Sequence, residues 1–458
     1  MPVYSRYDIT EMQSDTRTRV IVMGAAGRDF HNFNVVFRND PLARVVAFTA
    51  AQIPDIAGRT YPPVLSGHLY PNGIPIVEES ELVPLIERER VNWVYFSYSD
   101  VSHLDVMHQA SVVLAAGASF GFLGPERTSL ISRRPVISVC AVRTGVGKSS
   151  ATRRIARFFL DRRRQVSVIR HPMPYGDLEA QRVQRFADMD DLERLEATIE
   201  EREEYEPLLL MDIAVFAGVD YHSILHRAEE EADLIIWDGG NNDLPFVRPD
   251  LHVVLVDPHR PGDETSYHPG EANLRMADLV IINKVDSATV EQLTQVQEAI
   301  ESVARPNIPV VLADSVLTVA EPDLVKGKRV LMVGDGPTLT HGGMSYGAGS
   351  IAARELGAAE IVSGRQFAVG SIKSAYDAYP HMDAEVPALG YNLEQLSDLE
   401  ATLQAADADI VLYATPVNLG QLINANKPMV AVEYELQERG GELATILADF
   451  DYYKLAGG

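Results

Sequence analysis

Residues 135–150 read Pro-Val-Ile-Ser-Val-Cys-Ala-Val-Arg-Thr-Gly-Val-Gly-Lys-Ser-Ser, an unbroken apolar strand that turns through two glycines into Lys148, Ser149 and a helix. That order of strand, glycine turn and helix commits the middle of the chain to an α/β layer, with the turn at the carboxyl edge of a parallel sheet. Glycines let the backbone amides of such a turn face inward on phosphate oxygens. The lysine ammonium reaches the outer phosphates, and the serine hydroxyl can complete a Mg²⁺ shell. Thr144, Gly145, Val146, Gly147, Lys148, Ser149 and Ser150 are therefore the expected nucleotide contacts. The full Walker A pattern has a further glycine at position 142, where this chain has Val142.

The chain of 458 residues carries a formal net charge of −25, which argues against non-specific nucleic-acid binding and against docking on anionic membranes. Cationic groups inside clefts are correspondingly informative. Only seven lysines occur, and Lys148 and Lys284 both stand in nucleotide motifs. The single cysteine, Cys140, lies in the apolar strand and rules out an internal disulfide, as fits a reducing cytosol. The first 19 residues lack the apolar core of a signal peptide, and no apolar run approaches the roughly 20 residues that span a bilayer. A cytoplasmic protein is expected.

Such a length suggests two to four domains. Residues 1–129 alternate strands (Val20–Met23, Val45–Thr49, Trp93–Ser97, Phe120–Leu123) with helical patterns, the sign of a Rossmann-like, doubly wound sheet. Gly24-Ala-Ala-Gly27 meets only part of a dinucleotide fingerprint, and Thr49 and Ala50 stand where an acidic residue is required. A tight strand–helix turn is the preferred reading there, with a nicotinamide-dependent oxidoreductase a distant alternative. Residues 130–325 form the nucleotide-binding domain, and 326–458 a C-terminal α/β segment. Whether the outer segments share one sheet is left open. The arginines after the cradle (Arg153, Arg154, Arg157, Arg162 to Arg164) and the carboxylates of 188–206 are taken as solvated faces.

Two further motifs complete the nucleotide chemistry. Leu234-Ile-Ile-Trp-Asp238 is an apolar strand ending in aspartate, the form of a Walker B element whose carboxylate would hold Mg²⁺ directly or through water. Leu279-Val-Ile-Ile-Asn283-Lys284-Val285-Asp286 ends in the guanine-recognition pattern. There an aspartate accepts from the ring N–H and exocyclic amine of guanine while the lysine stem covers the base, which favours GTP over ATP without excluding ATP. The loop Asp257–Glu271 and residues His171 to Asp177 should emerge at the same sheet edge, either as holders of a polyanion and a second metal shell or as turn residues. Asp177 is a candidate third Mg²⁺ ligand. Paired cysteines and clustered histidines suited to zinc are missing from the sequence, and no Gly-x-Ser-x-Gly elbow follows a strand.

The run Arg143 to Ser149 resembles the deviant Walker A loop of the SIMIBI class, in which a signature lysine stands where Arg143 stands here. Taken with His171-Pro-Met-Pro-Tyr-Gly-Asp177, Ile236-Trp-Asp-Gly-Gly-Asn-Asn-Asp243, Asn283-Lys-Val-Asp286 and Asp335-Gly-Pro-Thr-Leu-Thr-His-Gly-Gly343, the chain resembles predicted GTPases related to cyclic 2,3-diphosphoglycerate synthetase. That resemblance implies a Mg²⁺-dependent enzyme that spends ATP or GTP on a small phosphorylated, anionic metabolite, closing a phosphoanhydride within 2,3-bisphosphoglycerate. It implies that Lys148 neutralises the transferring phosphoryl group, that Ser149 and Asp238 position Mg²⁺, and that Arg143 adds a second charge across a subunit boundary in a homo-oligomer. Arg170, His171, Arg260, Thr338, Thr340 and His341 are the candidate anion holders. A regulatory or chaperone-like GTPase acting on a protein partner is the alternative.

Overall fold

The computed structural model describes residues 15–50, 56, 58–171, 176–239, 243–340, 343–389, 393–415 and 419–455. They fall into two compact units. One runs to Tyr98 and takes in Met107–Thr128; the other comprises Ser99–Val106 and the chain from Ser129 onward.

In the first unit, five parallel strands stand in the order Ile74–Glu78, Ala43–Ala50, Thr18–Met23, Trp93–Phe96, Ser119–Gly121, with Thr60–Tyr61 antiparallel at one edge. The central strands are short apolar runs buried on both faces, as a doubly wound sheet requires. The Gly24–Gly27 turn closes on Asp29, whose carboxylate accepts the Ala26 amide. A side chain at Gly24 would meet that carboxylate at 2.7 Å, so a negative group stands where a dinucleotide phosphate would need amide donors. The tight-turn reading accounts for the glycines.

The second unit holds one sheet of 13 strands, into which both the central and the C-terminal segments are built; the N-terminal segment keeps its own sheet. Its first half carries the cradle strand Val136–Ala141 between Leu234–Asp238 and Leu251–Val256, continuing through Leu279–Ile282 to Val310–Val319, all parallel. Its second half is parallel too, with Met429–Glu438, Ile410–Ala414, Arg329–Asp335 and Glu360–Val362 side by side. The halves join through an antiparallel ribbon in which Ala313 faces Glu438 and Val319 faces Val432. Only residues 310–312 of one ribbon strand pair back into the first half, and only 429–431 of the other into the second. This stagger turns the carboxyl edges of the two half-sheets towards each other across the ribbon. Carboxyl edges are where open α/β sheets bind ligands, and here two of them share one space.

Packing holds the halves in that relation. The cradle helix Lys148–Leu160 buries Ile155, Phe158 and Phe159 in a core that also takes Leu443, Leu447 and Phe450 of the helix Glu442–Phe450. Of the arginines expected to be solvated, Arg157, Arg162 and Arg163 are exposed, whereas the other three reach across. Arg153 donates to the Tyr434 carbonyl at 3.1 Å, Arg154 to Glu438 at 2.8 Å and Arg164 to Asp451 at 2.7 Å. On the opposite face Cys140 packs with Ile169, Trp237 and Phe246, a small buried side chain as expected. Among the described residues, no helix is long and apolar enough to cross a membrane.

Candidate functional site

The phosphate cradle is shaped by its carbonyls. Gly145 and Gly147 take φ of +79° and +103°, which side chains rarely adopt, and a Cβ at Gly147 would run into the Asn283 carboxamide. Arg260 donates to the Thr144 carbonyl at 2.8 Å, Lys284 to that of Gly145 at 2.7 Å and Asn283 to that of Val146 at 2.8 Å. Three successive carbonyls are thus held outward, which turns the amides after them towards a phosphate position, whereas the amide of Thr144, an expected nucleotide contact, donates to Asp100 at 3.3 Å. Val146 is buried in the core, and Ser150 is buried on the helix beside Arg153.

Lys284 and Arg260 also converge on Asp257, at 2.8 and 3.2 Å. Burial would raise the Asp257 pKa, but those two cations hold it down at about 2. Asp286, four residues from Ile282, accepts the Ser315 amide at 2.8 Å on one oxygen. The Asn283–Asp286 motif therefore does structural duty for the loop while its aspartate lines the same cavity as the cradle.

Asp238 ends its strand beside Arg170, and the two are paired in register. Its Oδ2 accepts from the Arg170 guanidinium, its Oδ1 lies 3.4 Å from Lys148 Nζ, and Lys148 also donates to the Gly239 carbonyl. Burial pushes the Asp238 pKa up; the charges of Arg170 and Lys148 outweigh it and keep the group ionised. Oδ1 is buried and, among the described residues, has no hydrogen-bond partner beside its ion pair with Lys148. A buried carboxylate oxygen that faces the Lys148 ammonium at the foot of the cradle is a ligand of the type Mg²⁺ accepts.

Beyond the cradle the cavity opens to about 700 Å³. Its far walls come from the second half-sheet and from a helix the sequence reading assigned to solvent. Glu203 and Glu204 on the helix Ile199–Leu209, Asp335 at the end of the strand Arg329–Asp335 with Thr338 just beyond, Tyr434 on the ribbon and Arg354 all line it. Glu203 is buried and accepts from Thr415 Oγ1 at 2.5 Å. Asp335 accepts from the amide and hydroxyl of Thr338. Burial and the charge of Glu204 raise the Asp335 pKa, and Asp335 in turn, after burial itself, helps push Tyr434 up to about 12. The acidic stretch 188–206 breaks into two helices at Thr198, whose capping box with Glu201 starts the second one.

Several expected site residues lie elsewhere. Arg143 does not face the cradle. It is buried between Asp100 at 2.7 Å and Asp263 at 2.8 Å and stacks on Tyr267 at 3.6 Å, so its charge is spent within its own chain. Burial alone would lower its pKa; these anions keep it raised. Arg170 has its guanidinium between two carboxylates rather than open to an anion. His171 is buried 3.3 Å from Asp243, and Arg260 braces the loop from outside the cavity. Thr340 is buried and donates to the Gly336 carbonyl at 2.8 Å. Asp177 is exposed and caps a turn through the Glu179 amide. His341 lies outside the described residues, as do residues 172–175 and 240–242. Of the anion holders, Thr338 alone is placed on the cavity wall among the described residues.

The loop that positions Asp257 carries a buried acid, Glu264, which accepts the Gly262 amide at 2.7 Å on one oxygen and has no hydrogen-bond partner on the other among the described residues. Burial raises its pKa from 4.5 to about 7. A carboxyl whose folded pKa lies above its unfolded one binds more protons in the folded state, so stability falls as pH rises through 4.5 to 7. Glu264→Gln should abolish roughly 2–3 kcal/mol of that slope and leave the variant the more stable at pH 8. Chemical denaturation at pH 5 and pH 8 measures it, and equal slopes in both proteins would contradict it.

No protein-family model matches the chain. Among solved structures, it is similar to LpxK of Aquifex aeolicus in complex with ATP, at 15% identity over 71% of this chain and 91% of that one, with a TM-score of 0.42. A ParA-family ATPase of Chlorobium tepidum matches at 17% identity over 39% of this chain and 83% of that one, with a TM-score of 0.24. Likenesses this slight decide nothing about the chain. A curated relative is far closer: the arginine synthetase ArcE of Thermococcus kodakarensis is 56% identical over 429 residues, 94% of this chain and 96% of that protein. With that identity over nearly all of both chains, and a P-loop cradle that lines the cavity between the two half-sheets, this protein is a nucleotide-using P-loop enzyme and belongs to the arginine synthetase ArcE family.

Proposed function

We propose that the enzyme is a ligase that uses a nucleoside triphosphate to form arginine. The observation that carries this reading, beside the identity to the named synthetase, is the charge of the cavity. Glu203, Glu204, Asp286, Asp314, Asp335 and Glu355 line it against Lys148, Lys284 and Arg354. Lys284 already faces Asp257, and Lys148 faces Asp238 and the phosphate cradle. Glu204 likewise faces Arg170 and Asp314 faces Arg439, and what remains for an acceptor, Glu203, Asp335 and Glu355 against Arg354, is acidic and suited to an amino acid that carries an ammonium and becomes a guanidinium. It is ill suited to 2,3-bisphosphoglycerate, whose charges would meet Glu203, Glu204 and Asp335 across a low-dielectric wall. The cyclic diphosphoglycerate reading therefore stands second.

The chemistry follows from the product. A guanidinium can be made from a ureido group when its oxygen takes the γ-phosphoryl group and ammonia then displaces phosphate, releasing nucleoside diphosphate and inorganic phosphate. In this reading the loop amides and Lys148 hold and neutralise the phosphoryl group, while Ser149 and Asp238 would hold Mg²⁺, which supplies charge neutralisation on the phosphates when bound. Glu203 and Glu204 orient the acceptor. Asp335, held towards its protonated form by burial and by Glu204, is placed to exchange a proton with the incoming nitrogen. Calorimetric titration tests the acceptor side. L-arginine should bind the nucleotide-loaded protein while 2,3-bisphosphoglycerate gives no heat, and the reverse result would reinstate the cyclic product.

The base pocket is a separate question. Asp286, aligned by the Ser315 amide, is proposed to select guanine, since an unpaired carboxylate facing adenine costs about 1–3 kcal/mol. Asp286→Asn should cut the preference for GTP over ATP in kcat/KM by about 10-fold or more. An unaltered ratio would show that the base is read elsewhere.

A further inference from the structure

Arg170 is buried at the carboxyl end of its strand, with its carbonyl fixed by the Tyr221 hydroxyl at 3.0 Å. Its guanidinium divides between two carboxylates of different character. Nη1 donates to Asp238, 1% exposed at the foot of the phosphate cradle; Nε donates at 3.1 Å to Glu204, which is 27% exposed and faces the acceptor cavity. A buried ion triad contributes little net stability against apolar packing, because desolvation offsets its attraction. What it does provide is one fixed charge shared by two subsites.

We propose that Arg170 is a positioning residue that couples the acceptor cavity to the magnesium–nucleotide site. The coupling runs through charge. With no ligand on Glu204, Arg170 is balanced on both sides and Asp238 keeps negative charge on Oδ1, which faces the Lys148 ammonium at 3.4 Å. A cation seated against Glu204 takes up that carboxylate, and the guanidinium then acts on Asp238 alone. Asp238 becomes a poorer partner for Mg²⁺, so a cationic ligand in the cavity loosens the magnesium–nucleotide complex and, by reciprocity, is loosened by it. The identity of the cation rests on the function proposed above; the link between Glu204 and Asp238 does not.

Binding of a fluorescent N-methylanthraniloyl nucleoside diphosphate, titrated with Mg²⁺, tests the link without turnover. Glu204→Gln mimics the neutralised carboxylate and should raise the Mg²⁺ concentration for half-saturation about five-fold in the wild-type background. In an Arg170→Lys background, where the ammonium cannot span both carboxylates, the same change should have no further effect. Saturating L-arginine should raise the nucleotide Kd of the wild type in Mg²⁺ but not in EDTA, and should change neither Glu204→Gln nor Arg170→Lys. An unshifted Mg²⁺ midpoint in Glu204→Gln, or an equal shift in both backgrounds, would overturn the coupling. If Arg170→Lys does not fold, the Glu204→Gln midpoint decides alone. A shifted midpoint with no effect of arginine would uphold the coupling and count against arginine as the ligand.

Discussion

Lys148→Ala is expected to lower kcat by about 1,000-fold while the protein stays folded, with its melting temperature changed by a few degrees at most. The lysine is half-buried, lies 3.4 Å from Asp238 and donates to the Gly239 carbonyl. Asp238 keeps its pairing with Arg170 when the lysine is lost, so no buried charge is left alone. The loss falls on the phosphoryl group, which no other cation in the cradle is placed to reach among the described cavity-lining residues; Lys284 is tied to Asp257 and Arg354 stands on the far wall. Stopped assays with calorimetric melting separate the two effects. Turnover within 10-fold of the wild type would contradict the cradle's role.

Arg143→Met is expected to do the opposite. Removing the guanidinium strands Asp100 and Asp263 in a buried setting and uncovers the Tyr267 ring, at a cost of about 3–5 kcal/mol. Catalysis per folded molecule should survive, because the side chain does not reach the cavity. Denaturant titration together with kcat below the melting transition tests both halves. Intact stability with abolished turnover would restore Arg143 as a second catalytic charge, the role that its place in the SIMIBI-like loop implies.

Arg143 also shows what can and cannot be read from a sequence of this kind. The cradle, Asp238 and Asn283–Asp286 are legible because each is a single strand leading into its own loop, and local order alone puts them at the carboxyl edge of the sheet. The fate of Arg143 depends on Asp100 and Asp263, each far off along the chain, and no local pattern announces those partners. Glu203 and Glu204 lie in a stretch so acidic that solvation is the natural expectation, yet Tyr205, Leu208 and Leu209 bury one side of that helix and bring the carboxylates to a wall. The spacing of those apolar residues was the available sign. Likewise Val310–Val319 and Met429–Glu438 alternate as strands should, but their antiparallel register, which sets two carboxyl edges face to face, is a non-local fact. The cavity is legible only once that pairing is known.

The most direct test of a phosphate cradle joined to an acidic acceptor cavity is phosphorus NMR with parallel amino-acid analysis on the purified protein. The protein would be given Mg²⁺, ATP or GTP, ammonium and a ureido amino acid of arginine's length. Arginine, nucleoside diphosphate and inorganic phosphate should appear in equal amounts, and omission of either acceptor component should suppress them. Nucleotide hydrolysis at the same rate with or without the amino acid, and no arginine, would contradict the account.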